Sequence, residues 1–476
     1  MPAQAPFLFW FRRDFRLADH PGLTAALEQG APVLPVFILD PETDALGAAP
    51  KWRLGEAVRC FAGTLEAMGA QLVIRKGAAP EVLRDLIAET GAQAVYWSRA
   101  YDPDSIARDK AVKAALKSDG IEARSHPGHL LFEPWTVETG QAEYYKVYTP
   151  FWKNVRSRDP GKPLPAPKSW PALDGPPRGL SVDELQMGRA MNRGAQIVVR
   201  HACVGEDAAQ DRLSRFIDEK VSRYKTDRDR LDRDGTSGLS ENLAVGEISP
   251  RQLWAAGQRA IAEGRQGAED FVKEVVWREF AYHLIWNTPE ITHRNWRPEW
   301  DNFPWAEKGE AISRWQQGRT GEPVIDAAMR QLYVTGTMHN RARMLVGSYL
   351  TKHLLVHWKV GLKWFEDCLI DWDPASNAMG WQWVAGSGPD ATPYFRIFNP
   401  ATQAEKFDPK GAYRRRYLAE CSDDPGQEAL EFFDAVPKSW SLRPDAPYPD
   451  PLVGLKEGRQ RALDAYQNHK RDRDAA

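Results

Sequence analysis

QLVIRKGAAPEVLRDLIAETGAQAVYWS (71–98) decides the fold of the first third of the chain, because it reads strand, helix, strand. QLVIRKG (71–77) is a short apolar run closed by a glycine. PEVLRDLIAET (80–90) opens on a proline, which suits a first helical turn because its missing N–H has no partner there anyway. AVYWS (94–98) is again β-branched and aromatic. The alternation extends both ways. FLFWF (7–11) and VLPVFIL (33–39) read as buried strands and 52–69 as a helix. SIARDKAVKAALKSDG (105–120) reads as a helix ending on glycine, and a last strand starts near Ile121. This pattern predicts an α/β domain with a doubly wound, Rossmann-like parallel sheet. No G-x-G-x-x-G follows any strand, so the dinucleotide fingerprint is missing.

Residues 156–180 carry seven prolines and three glycines and cannot form a regular element. They predict a long linker that continues to about 204. From 205 onward helical periodicity dominates, over 207–220, 250–263, 268–287, 322–335, 339–357 and 360–370. The expected organisation is an α/β domain over 1–135, an interdomain linker over 136–204 and a large all-α domain over 205–476.

The formal net charge is −2, so a nucleic-acid partner would have to be held by a local basic patch rather than a global field. Cys60, Cys203, Cys368 and Cys421 are scattered without a C-x-x-C, which argues against a structural zinc, a cluster or a disulfide framework and fits a reducing cytoplasm. The apolar run near the start is followed by Arg12 and Arg13, unlike a signal peptide. No apolar stretch approaches membrane-spanning length. His353 and His357 are four apart but have no carboxylate or cysteine cluster with them, so no metal site is expected. Nineteen tryptophans are an excess that core packing alone leaves partly unexplained.

Four motifs carry chemistry. Tyr224-x-x-x-Arg228 followed by GTSGLS (235–240) offers backbone N–H groups and hydroxyls in a turn suited to phosphate; an ordinary helix cap by Ser240 is the alternative. Glu274 and Trp277 share a helical face, where a carboxylate can bond a base edge while the indole stacks on it. In MHNRARM (338–344), Asn340 and Met344 share a face, and Arg341 and Arg343 point apart, one towards an interior carboxylate and the other towards a phosphate. DWDPASNAMGWQWVAGSGPDATPYFRIFN (371–399) brackets Trp372 with Asp371 and Asp373, then presents Trp381, Trp383, Phe395, Arg396 and Phe398. Buried carboxylates need a cation or several hydrogen bonds, and alternate indoles offer flat faces for stacking. The combination suits a planar cofactor beside a nucleobase.

Taken in order, WREF (277–280), GEPVIDAAMRQL (321–332), MHNRARM (338–344), GWQW (380–383) and PYFRIFNP (393–400) resemble the photolyase/cryptochrome family, over essentially the whole chain. The resemblance implies FAD bound non-covalently in the helical domain and an antenna chromophore between the domains. It also implies light-driven splitting of cyclobutane pyrimidine dimers in UV-damaged DNA by electron transfer from the reduced flavin. Under it, Tyr224 and Thr236, Ser237, Gly238, Leu239 and Ser240 hold the FAD phosphates. Arg278, Asn340, Arg343, Asp371, Trp372 and Asp373 neighbour the flavin, with Arg343 neutralising Asp371. Asn377 stands where photolyases place an asparagine against the flavin N5, which favours repair over signalling. Trp381, Trp358 and Trp305 correspond to the chain of tryptophans that feeds electrons to the flavin.

The lesion pocket implied is Glu274, Trp277, Asn340, Met344 and Trp383, around a nucleotide pair flipped from the stack. Arg228, Arg341, Arg396 and Lys406 are the expected phosphate contacts. Met344, where relatives acting on the (6-4) photoproduct place a histidine, favours the cyclobutane dimer. Two positions depart from the family. Gly238 stands where many relatives carry a larger residue, which leaves backbone contacts only. Asp104 and Ser105 stand where the best-known folate-binding relatives carry an Asn-Glu pair. Methenyltetrahydrofolate held differently is the favoured antenna and a deazaflavin the alternative. A monomer without membrane attachment is expected. The competing readings are a cryptochrome-type blue-light receptor and a cofactor-free DNA-binding protein.

Overall fold

The computed structural model describes residues 4–475. Residues 1–3, the start of the stretch argued above to be no signal peptide, lie outside them. Strands β1 (Phe7–Phe11), β2 (Val33–Leu39), β3 (Val73–Lys76), β4 (Ala94–Ser98) and β5 (Glu122–His126) form one parallel sheet in the order β3-β2-β1-β4-β5. The central β1 is buried at every position, as a strand covered on both faces must be. Its side chains alternate between two cores: Phe7, Phe9 and Phe11 pack with Leu54 and Phe61, while Leu8 and Trp10 pack with Leu83 and Val95.

The strand order reverses between β1 and β4, where doubly wound sheets ordinarily open a ligand crevice at their carboxyl ends. Here charged side chains fill that place. Arg12 reaches Asp109 at 2.5 Å and the Ser98 carbonyl, and Arg108 pairs with Asp40 at 3.0 Å.

No helix or strand interrupts 156–180, as its prolines require. The segment is nonetheless bound to the sheet. Val33 N donates to Pro171 O (2.8 Å), the Trp170 indole donates to Val33 O (2.8 Å), and Leu180 N donates to Ile74 O (3.0 Å). The helical part docks on the α/β part through buried charge. Arg53, fully buried, bridges Glu247 (2.6 Å) and Glu241 (3.3 Å). Beside it Gly246 closes the Ser240–Val245 helix in the left-handed region, φ 73°, where a Cβ would overlap the Arg13 carbonyl.

The helical part departs from the sequence expectation in two places. The 207–220 run is an α-helix over Glu206–Arg215 followed by a π turn, Phe216–Lys220. The 339–357 run stops being α-helical at Ser348, makes a π turn over Tyr349–His353, and breaks at Leu355, φ 50°. Lys352, within that turn, is fully buried. Its Nζ finds only the Arg396 carbonyl at 3.3 Å and the Tyr394 ring, 4.9 Å to the centroid.

Burial pushes Lys352 down to about 7, from an ordinary value of 10.5. Between those values the unfolded chain holds the extra proton, so this residue makes stability rise with pH across that window. Lys352→Met should therefore stabilise the fold at pH 7 by about 1–3 kcal/mol. In urea titrations the gap to the native sequence should narrow at pH 9. A gap that stays the same from pH 7 to pH 9 would mean that the lysine keeps its proton in the fold.

Candidate functional site

One cavity of about 1280 Å³ runs into the helical part and takes in most of the residues singled out above. Three elements converge on it. The Ala268–Asn287 helix brings Glu274, Trp277 and Arg278. The Asn340–Ser348 helix brings Asn340, Arg341, Arg343 and Met344. The Pro374–Ala385 helix brings Asn377, Trp381 and Trp383. The last of these starts where Pro374 follows Asp373, whose Oδ1 accepts from Ser376 N at 2.8 Å.

At one end lies the turn Thr236 to Ser240, all five residues lining the cavity together with Tyr224. Ser240 is the first helical residue and Leu239 precedes it with no side-chain cap bond, so the helix-cap alternative does not hold. Gly238 sits at φ 65°. Arg212, unremarked in the sequence, crosses from the Glu206–Arg215 helix, donates to Gly238 O at 2.5 Å and pairs with Glu241 at 2.7 Å. It packs beside the position that a side chain at 238 would take and puts a guanidinium in the cavity wall. The signal for it was present only as a basic residue in the last turn of that helix.

At the other end Arg343 Nη2 lies 2.7 Å from Asp371 Oδ2, and Arg343 Nε donates to Met338 O at 2.8 Å. The Asp371 Oδ1, the Trp372 Nε1 and the Trp381 Nε1 are buried without a partner. Such orphaned polar atoms are costly unless a ligand meets them. Asp373 is held differently, by the Tyr282 hydroxyl at 2.5 Å and Arg13 at 3.6 Å. Arg278 and Arg13, with these bonds, keep its carboxyl below the usual range despite burial. Arg278 donates to His129 O at 2.8 Å. Asn377 donates its Nδ2 to Leu362 O at 3.1 Å, which leaves its carbonyl oxygen as the free acceptor.

The arginines of the outer wall are less free than the sequence suggested. Arg228 is ion-paired with Glu274. Arg341 pairs with Asp229 at 2.7 Å and lies over the Phe407 ring at 4.6 Å. Arg341 and Arg343 thus both hold carboxylates, where one of them was expected to be left for phosphate. Arg396 and Lys406 do not line the cavity and are exposed. His339 lines it, pushed down to about 4 chiefly by burial, and is neutral at pH 7.

Of the three tryptophans expected to act in series, Trp381 forms part of the wall and the others lie behind it. Trp381 lies against the Trp358–Cys368 helix at Gly361, where a Cβ would overlap its ring. Trp358 is fully buried and donates to Asn295 Oδ1 at 2.8 Å. Trp305, 9% exposed, donates to Thr351 O at 3.1 Å. The His357 ring stands between them, 5.1 Å from Trp305 and 5.5 Å from Trp358. His357 also caps its helix through Lys359 N, and His353 stacks on Tyr349, so these two histidines are used structurally.

A separate aromatic surface lies at the seam of the two parts. Trp135 is 43% exposed, with Arg99 over its ring at 5.3 Å and Trp286 at 5.0 Å. Among the described residues no helix is long and apolar enough to cross a membrane.

Comparison with known proteins agrees with this geometry. Residues 7–168 match the DNA photolyase domain, and residues 271–468 match the FAD binding domain of DNA photolyase. The chain is 43% identical to a deoxyribodipyrimidine photo-lyase of Agrobacterium fabrum over 97% of this chain and 98% of that one. It is 33% identical to cryptochrome-1 of Arabidopsis thaliana over 96% of this chain and 70% of that one. A bacterial class III photolyase from Agrobacterium tumefaciens superposes with a TM-score of 0.90 at 42% identity, covering 99% of both chains.

Proposed function

This chain belongs to the photolyase/cryptochrome family, and on that premise we propose that it is a deoxyribodipyrimidine photo-lyase, a light-dependent lyase that splits cyclobutane pyrimidine dimers in DNA. The observation that carries the reading is the continuity of one cavity. A phosphate-type turn and a cluster of orphaned polar atoms lie in it, and the Glu274, Trp277, Asn340, Met344 and Trp383 wall belongs to the same space. One space can therefore take both a cofactor and a flipped pyrimidine dimer.

The residues present fit FAD. The Thr236–Ser240 turn and Arg212 suit its phosphates, and Asp371, Arg343 and Asn377 suit the edge of its ring system. Bound and reduced, FAD supplies on illumination the electron that opens the dimer. The chain's own part is to bind, orient and exclude water. Trp277 and Trp383 offer faces to the dimer rings. Met344 supplies a soft apolar wall, and Asn340 a polar contact. Glu274 can accept from a base edge once Arg228 shares it, and the release lets Arg228 turn to a phosphate. Arg396 and Lys406, exposed beyond the cavity, suit the flanking backbone.

No proton donor is needed for this ring opening. Met344 in the cavity wall, in place of a histidine, supports the cyclobutane dimer over the (6-4) photoproduct as substrate.

The antenna we read as methenyltetrahydrofolate. Charged pairs occupy the sheet's switch point, where a nucleotide-type antenna would otherwise enter, while Trp135 offers an exposed indole to a pterin, with Arg99 over its other side already paired with Glu133. We read the protein as a cytoplasmic monomer.

The test is repair of one defined thymine dimer in an oligonucleotide by reduced enzyme, in blue light and in the dark, with a (6-4) lesion alongside. Light-dependent repair of the cyclobutane dimer alone is the expected result. No repair of either, with flavin bound and photoreducible, would favour a photoreceptor. Within the same assay Trp277→Ala should weaken binding to dimer-containing DNA by about 1–3 kcal/mol through lost stacking. Flavin content should not change. Unchanged affinity would remove Trp277 from the pocket.

A further inference from the structure

Between 138 and 150 the chain runs along the surface, and Tyr148 is its one buried residue. Its ring lies flat on Trp277, centroids 3.6 Å apart and planes within 5°. Its hydroxyl donates to Lys273 O at 2.7 Å, on the helix that carries Trp277. Its backbone N–H donates to Asp390 Oδ2 at 3.1 Å. Asp390 is itself held in the left-handed region, φ 49°, in the loop that follows the helix carrying Trp383. Tyr148 is not part of the cavity wall, whereas Trp277 and Trp383 are.

We propose that Tyr148 is a positioning residue for lesion recognition: it stacks behind Trp277 and, through Asp390, ties that indole to the loop after Trp383, so that the two walls keep a fixed separation. The proposal rests on the reading of this cavity as a lesion pocket. Trp277 is only half-buried and is flanked otherwise by the edge of Phe280, centroids 5.8 Å apart. An indole on a helix surface would populate several rotamers and lose that freedom on binding. An indole already stacked has little left to lose, and the saving appears as affinity for the ligand that uses its other face. Undamaged DNA, whose bases stay in the stack, gains nothing from it.

The test uses FAD-loaded protein and one oligonucleotide with and without a single thymine dimer. Tyr148→Leu keeps bulk but removes the flat ring, and Tyr148→Phe keeps the ring. Tyr148→Leu should weaken dimer binding about three- to tenfold. Affinity for undamaged DNA and the repair yield per bound complex should stay unchanged. Tyr148→Phe should restore dimer binding to within about twofold. In a Trp277→Ala background the Tyr148→Leu effect should vanish, since the tyrosine acts through the indole. Equal loss on damaged and undamaged DNA, failure of Tyr148→Phe to restore binding, or full additivity with Trp277→Ala would each overturn the proposal. If Trp277→Ala alone leaves dimer affinity intact, the lesion pocket is misassigned and the proposal falls with it. If Trp277→Ala weakens binding and Tyr148→Leu does not, only the proposal falls.

Discussion

Trp305→Phe should abolish light-driven reduction of the oxidised flavin while leaving repair by chemically reduced enzyme intact. The substitution is mild structurally. Phenylalanine keeps a ring against Phe303, at 4.7 Å, and Trp300, at 5.7 Å. It loses one indole hydrogen bond, to Thr351 O, worth about 0.5–1.5 kcal/mol. The chemical change is large, because an indole can give up an electron where a benzene ring cannot. The surroundings suit indole oxidation. His357, between Trp305 and Trp358, is pushed down to about 4, mainly by burial, and is uncharged at pH 7. It therefore places no positive charge against an electron hole on either ring. With the Trp305 indole removed, a hole on the fully buried Trp358 loses its next indole in the series and recombines. The check is flavin bleaching under steady blue light with an external reductant, set beside single-turnover repair after dithionite reduction. Persistent bleaching would mean that electrons leave by another route. Loss of both activities would make Trp305 a packing residue.

The parallel sheet was legible because its evidence is local. Four short apolar runs, a proline at a helix start and glycines at helix ends each report the backbone near them. The long helices were legible for the same reason, but their ends were not. The 339–357 run keeps its apolar period through Lys352, yet the chain makes a π turn there and buries that lysine against Tyr394 and the Arg396 carbonyl, contacts from a distant segment that local spacing does not report. The cavity was legible as a set of motifs, since Glu274, Trp277, Asn340, Met344 and Trp383 all line it. Its electrostatics were not. Nothing in local spacing says that Arg228 is paired with Glu274, or that Arg341 is paired with Asp229. Arg212 and Tyr148 escaped because each lies in an unremarkable stretch and matters only through what the fold brings beside it.

Arg343→Ala should yield a protein that folds poorly and carries little flavin, and the two losses can be separated. Asp371 is 2% exposed at its side chain and Arg343 is its one ion-pair partner among the described residues. Removing one member of a buried pair leaves an uncompensated charge, which costs about 3–5 kcal/mol. Arg343 is itself 28% exposed, so water can reach this pair and the low end applies. Replacing both members by apolar groups of similar size, as in Arg343→Met with Asp371→Leu, removes the uncompensated charge and should recover most of that stability. It should not recover the cofactor. The Asp371 Oδ1, buried without a partner, is the acceptor offered to a ligand at this end of the cavity, and leucine offers none. The readouts are flavin per chain after purification and thermal melting with and without added FAD. The single variant should melt early and bind weakly. The double variant should melt close to the native protein, yet gain no stability from added FAD. If the double variant binds flavin normally, Asp371 and Arg343 serve only the fold and the ring system is held elsewhere. If the single variant keeps both flavin and stability, another cation replaces Arg343 and the pair is dispensable.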